Sequence, residues 1–156
     1  MQKIIVRGLS ALLAVMFVSP AFAKAATEKL VISGPGIAGQ IETTDAKAIA
    51  PSIWGGNFVD WNSKAVEPAA THARYTIKFH IRTAQGGSRV AYVVYYVWDP
   101  DAKRALVYIP GPGEEWYGVN ASSILRDGSD GRSWRDGRWY AATDDWSRAI
   151  REVLER

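Results

Sequence analysis

Cysteine is absent from this 156-residue chain, and that absence removes several chemistries at once. No disulfide framework can brace the fold. There is no thiol nucleophile, and no lipobox thiol, so a lipid anchor at a leader cleavage site is excluded. Histidine is nearly as scarce, with only His72 and His80. Two imidazoles, one in a loop and one on a polar strand face, do not make a zinc site without a third ligand nearby. A G-x-S-x-G elbow, an H-E-x-x-H pair and a P-loop are all missing, so the common exported-hydrolase templates find no match and no cofactor is expected.

An excess of one charge is lacking too. The formal net charge of +3 falls to +1 if Lys3 and Arg7 leave with a leader. No global basic field then remains, which argues against a nucleic-acid partner. Long apolar runs are also missing. The longest, residues 9–18, is broken by Ser10 and is far short of the roughly 20 residues that span a bilayer.

That short run, the positive start at Lys3 and Arg7, and the small-x-small pattern Ala21-Phe22-Ala23 together read as an export signal over residues 1–23. Cleavage after Ala23 leaves one soluble domain over residues 24–156, with no membrane anchor and a periplasmic or extracellular address. Removing 23 of 156 residues leaves 133, enough to bury close to 70% of the unfolded surface, roughly. With seven tryptophans and seven tyrosines, the core is expected to be built on large rings, each removing about 150–250 Å² from water.

Along the mature chain, residues 29–33 read as a strand ended by Gly34-Pro35-Gly36. Pro presets φ for the second turn position and Gly accepts positive φ at the third. Residues 40–44 return as a second strand, and Asp45 caps a helical turn over 46–50. Residues 52–71 have no clear period and read as a long irregular segment. Tyr75, Ile77, Phe79 and Ile81 then alternate with polar residues, the period-2 pattern of a half-buried strand. A two-residue turn at Gly86-Gly87 would set Ile81 against Tyr92, Phe79 against Val94, Ile77 against Tyr96 and Tyr75 against Trp98. Residues 89–98 are apolar on both sides, which places that strand centrally. Residues 105–109 and 138–142 are further strands. A final helix starts at the Thr143 N-cap, with Asp144 and Asp145 in its first turn and an apolar stripe of Trp146, Ala149, Ile150, Val153 and Leu154. The expected fold is α+β: a small antiparallel β-meander with the C-terminal helix packed on one face and a basic stripe of Arg74, Lys78, His80 and Arg82 on the other.

Candidate chemistry sits in the loops. Trp54, Trp61 and Trp116 lie beside Asp60, Asn62, Glu114 and Glu115, a mixture of flat apolar faces and hydrogen-bonding groups that suits an envelope glycan or an extended peptide. Trp61 and Trp116 are the expected stacking residues, and Asp60 and Glu115 the orienting ones. The principal expectation is a non-catalytic envelope protein binding a glycan, peptide or protein partner. The alternative is a small hydrolase using Asp60 and Glu115, which requires two acids about 5–9.5 Å apart. Residues 127–131 (Asp-Gly-Ser-Asp-Gly) mimic a calcium loop, but Gly131 stands where a fifth-position oxygen ligand is needed, so a turn is the better reading.

Leu30-Val31-Ile32-Ser33-Gly34-Pro35-Gly36, then Ile41-Glu42 and Thr44-Asp45, with Trp139-Tyr140-Ala141-Ala142-Thr143 before a final helix, resembles small exported bacterial proteins of unassigned function. The resemblance covers mainly the two ends of the mature chain. It implies a bacterial source and one compact domain, and it carries no activity or binding residue.

Overall fold

The computed structural model describes residues 26–52, 57–124 and 135–156. The expected leader, Trp54, Trp134 and the 127–131 turn lie outside the described residues. The fold is α+β. Seven antiparallel strands form one sheet in the order β2-β1-β4-β5-β6-β7-β3. They are β1 (Thr27–Ser33), β2 (Ile41–Thr43), β3 (Val59–Ala65), β4 (Arg74–Arg82), β5 (Ser88–Asp99), β6 (Arg104–Ile109) and β7 (Arg138–Ala142). Helix α1 (Ala46–Ile49) is followed by a 3-10 turn over Ala50–Ser52, α2 (Tyr117–Ala121) follows β6, and α3 (Asp144–Leu154) closes the chain.

Local chemistry accounts for several of these boundaries. Pro35 and Gly36 (φ 81°) fill the two central places of the turn that Ile37 N closes on Gly34 O at 3.2 Å, and β2 returns beside β1. Asp45 accepts the Lys47 N–H at 2.9 Å, satisfying one of the orphan donors of α1. Thr143 does occupy the N-cap of α3, but its hydroxyl donates to Phe58 O at 3.4 Å instead of capping the helix. The helix start is thereby tied to the residue that precedes β3.

The core lies between the sheet and α3. Trp146, completely buried, meets Phe58 at 4.8 Å between ring centroids, and Phe79 meets Tyr92 at 4.2 Å. The Trp146 indole N–H donates to Ala48 O at 3.0 Å, so the ring's one polar atom is satisfied and α1 is pinned to α3. The apolar stripe of α3 is buried at Trp146, Ala149, Ile150 and Val153, and Leu154 is half-buried at its end.

Two expectations are corrected. The segment 52–71 contains strand β3, which pairs with β7 at Val59–Ala142 and Asp60–Ala141 and again at Lys64–Tyr140 and Ala65–Trp139, with a bulge between. Asp, Asn and Ser in its middle are poor strand formers, and only its ends join the ladder.

The β4–β5 register is shifted by two residues from expectation. Tyr75 faces Tyr96, Ile77 faces Val94 and Phe79 faces Tyr92. The turn causes this. Thr83 N bonds Gly87 O at 2.7 Å and Gly86 N bonds Thr83 O at 3.0 Å, so three residues, not two, cross over, with Gly86 at φ 84°. Next to the turn Arg82 faces Ser88, a register one step out of phase with the core pairs. A bulge between Phe79 and His80, with Ala91 as the extra residue on β5, restores the phase and keeps the apolar sides together.

Candidate functional site

Because α3 covers only one side of the sheet, the other side is built by the alternate residues of the same strands. Across one row, Thr76 lies opposite Tyr95, Tyr95 opposite Tyr108, Tyr108 opposite Trp139 and Trp139 opposite Ala65. Three rings therefore stand side by side on adjacent strands. Tyr95 and Tyr108 are stacked at 6.2 Å, and Tyr108 and Trp139 meet at 5.1 Å. Trp139 is buried with Val97 and Leu106 in a second small core, while Tyr95 and Tyr108 are half-exposed.

Charged groups frame the row. The Arg74 guanidinium lies 5.1 Å from the Trp139 ring and pairs with Glu67 at 3.2 Å. The Lys78 ammonium lies 4.7 Å from the Trp116 ring. Trp116 stands at the start of α2 with φ 73°, a left-handed conformation that costs a non-glycine residue roughly 1–3 kcal/mol. The half-buried ring, held against Lys78, extends the aromatic surface towards β4. The Tyr108 hydroxyl donates to Glu114 Oε2 at 2.9 Å, and the same carboxylate accepts the Gly111 N–H.

The electrostatics follow from this packing. Burial and then the Glu114 carboxylate, which favours the neutral phenol, push the Tyr108 hydroxyl up to about 12. Burial first, then Glu115 and Glu114, also raise Tyr95.

The residues expected from sequence separate onto different parts of this frame. Trp116 and Glu115 belong to the aromatic side. Trp61 does not: it meets Tyr140 edge-on at 5.2 Å on the α3 side, with the Arg135 guanidinium 4.4 Å from its ring. A single groove between Trp61 and Trp116 therefore does not assemble. Asp60 stands on the outermost strand and accepts the Asn62 N–H at 3.0 Å. Its strand lies three places from that of Tyr95, roughly 14 Å of sheet. Glu114 is committed to Tyr108 and Gly111. The basic stripe is largely internally engaged, since Arg82 pairs with Glu28 at 3.3 Å, Arg74 with Glu67, and Lys78 with Trp116. His80 is pushed below its usual range, chiefly by burial and then by Lys29.

Two shallow clefts flank α3. One of about 370 Å³ lies between α1 and α3, lined by Lys47, Pro51 and Glu152 among others, and contains no aromatic ring. The other, about 260 Å³, has Trp98, but the Arg151 guanidinium covers that ring at 4.2 Å. Tyr95 and Tyr108 are half-exposed on the side opposite α3, and Tyr75 and Tyr117 are half-exposed against the main core. Sequence reasoning missed Tyr95, Tyr108 and Trp139 as a set, although each sits on the outward phase of its own strand. Only the cross-strand register lines them up.

No known protein family, curated protein or solved structure matches this chain.

Proposed function

We propose that this chain is an exported, non-catalytic binding protein of the bacterial envelope, and that its sheet side opposite α3 takes a glycan. The row Tyr95–Tyr108, extended by Trp116, carries this reading. Sugar rings present apolar C–H faces that lie well on aromatic planes, while their hydroxyls need donors and acceptors around the rim. Glu115, Glu67, Arg74 and Lys78 supply both kinds. A half-exposed aromatic row on an open sheet side suits holding a chain. Export rests on the leader pattern of residues 1–23.

The test is intrinsic tryptophan fluorescence during titration with peptidoglycan and polysaccharide fragments. Trp116→Ala and Tyr95→Ala are expected to abolish or strongly weaken the response, and Trp61→Ala to leave affinity unchanged. A response lost only in Trp61→Ala would move the site to the α3 side and overturn this assignment.

A further inference from the structure

Extending the β4–β5 ladder past its last pairs brings a different chemistry together. Arg74 faces Val97, so two residues further on His72 comes opposite Asp99. Asp101 follows in the turn to β6. One ligand atom from each of His72, Asp99 and Asp101 lies within 4.8 Å of the other two. We propose that these three residues bind a divalent transition-metal cation, Zn²⁺ or Mn²⁺.

Four observations support the site. His72 Nδ1 is buried and has no hydrogen-bond partner, a costly state for a polar atom and one in which no protein group competes with a metal for that nitrogen. The His72 N–H bonds Ala69 O at 3.0 Å, closing a turn that fixes the residue. Asp99 Oδ1 accepts the N–H groups of Asp101 and Ala102, both at 3.0 Å, which orients the carboxylate and leaves its second oxygen for a cation. Asp101 is exposed, in the turn that follows Asp99. Ligands bound at about 2.0–2.2 Å sit roughly 3–4 Å apart around a metal, so only a small closure is needed. An imidazole among the donors favours Zn²⁺ or Mn²⁺ over Ca²⁺, which requires about six to eight oxygens.

The cluster lies four residues along β5 from Tyr95, roughly 13 Å, and does not rest on the glycan reading. Its residues join the start of β4 to the β5–β6 turn, so a bound ion would clamp that end of the hairpin.

The experiment is calorimetric titration of tag-free, chelator-treated protein with ZnCl₂, MnCl₂ and CaCl₂, paired with thermal melts. One equivalent of Zn²⁺ or Mn²⁺ should bind and raise Tm, reversibly with EDTA. His72→Ala and Asp101→Asn should each weaken binding at least about tenfold. Asp101→Asn alters an exposed residue, so its metal-free melt should match the wild type and separate lost binding from lost folding. The proposal is overturned by no saturable binding of Zn²⁺ or Mn²⁺ to the wild type, by binding of Ca²⁺ alone, or by unchanged affinity in both variants. Loss of metal binding with glycan binding intact would leave the aromatic row standing on its own.

Discussion

Asn120 is completely buried, and its amide does the work of a missing strand. It accepts the Val93 N–H at 2.8 Å and donates to Val93 O at 2.7 Å, where β6 no longer runs beside β5. Ser123 likewise donates to Ala91 O at 2.7 Å, at the bulge. Asn120→Ala would leave both Val93 groups buried without partners, and should cost about 2–4 kcal/mol in denaturant melts. A loss under about 0.5 kcal/mol would show that water replaces the amide. Tyr108 gives a pH signature. Its folded value, about 12, lies above the ordinary tyrosine value of 10. The stability it contributes is therefore fully present below pH 10 and lost as pH rises towards 12. Spectrophotometric titration should find Tyr108 ionising later than an ordinary tyrosine, with Tyr108→Phe removing that late step. A late alkaline step left unchanged by Tyr108→Phe would contradict the burial of that hydroxyl and its Glu114 contact.

Elements differ in how much the chain reveals of them. The faces of β4 and β5 are legible because Tyr75, Ile77 and Phe79 alternate cleanly with polar residues, and α3 because its stripe follows the helical period. The register was not legible, since it depends on a three-residue turn and a bulge at Ala91, both set by packing instead of by pattern. Strand β3 was hidden by Asp60, Asn62 and Ser63, which form a strand only because β7 offers an edge. As the outermost strand, β3 carries Lys64 and a bulge, features that discourage pairing with other chains. The aromatic row inherits this limit: Tyr95, Tyr108 and Trp139 lie 13 and 31 residues apart in sequence, and only the ladder aligns them. Truncating Phe79, Ile77 or Trp146 to Ala should destabilise by about 2–5 kcal/mol. Arg82→Ala, losing an exposed ion pair, should cost under about 0.5 kcal/mol, and Lys78→Ala up to about 1 kcal/mol through the Trp116 contact. The reverse order in equilibrium melts would mean the two sheet sides are exchanged.

On the scale of the whole molecule, the sheet divides the labour between its sides. One side, under α3, holds the large rings that stabilise a chain without disulfides. The other keeps Tyr95, Tyr108 and Trp116 half-exposed within a rim of both charges. The proposed export belongs to this scale as well: N-terminal sequencing of the processed chain should begin at Lys24, or at Ala26 if Ala23-Lys24-Ala25 is the site cut, and retention of Met1 would remove the envelope address. Whether the side opposite α3 is the binding surface is decided by amide chemical-shift mapping with a peptidoglycan or polysaccharide fragment. Perturbations should concentrate at Thr76, Tyr95, Tyr108 and Glu114 to Trp116, with Lys47, Arg148 and Glu152 silent. Shifts confined to α1, α3 and the Trp61 edge would contradict it.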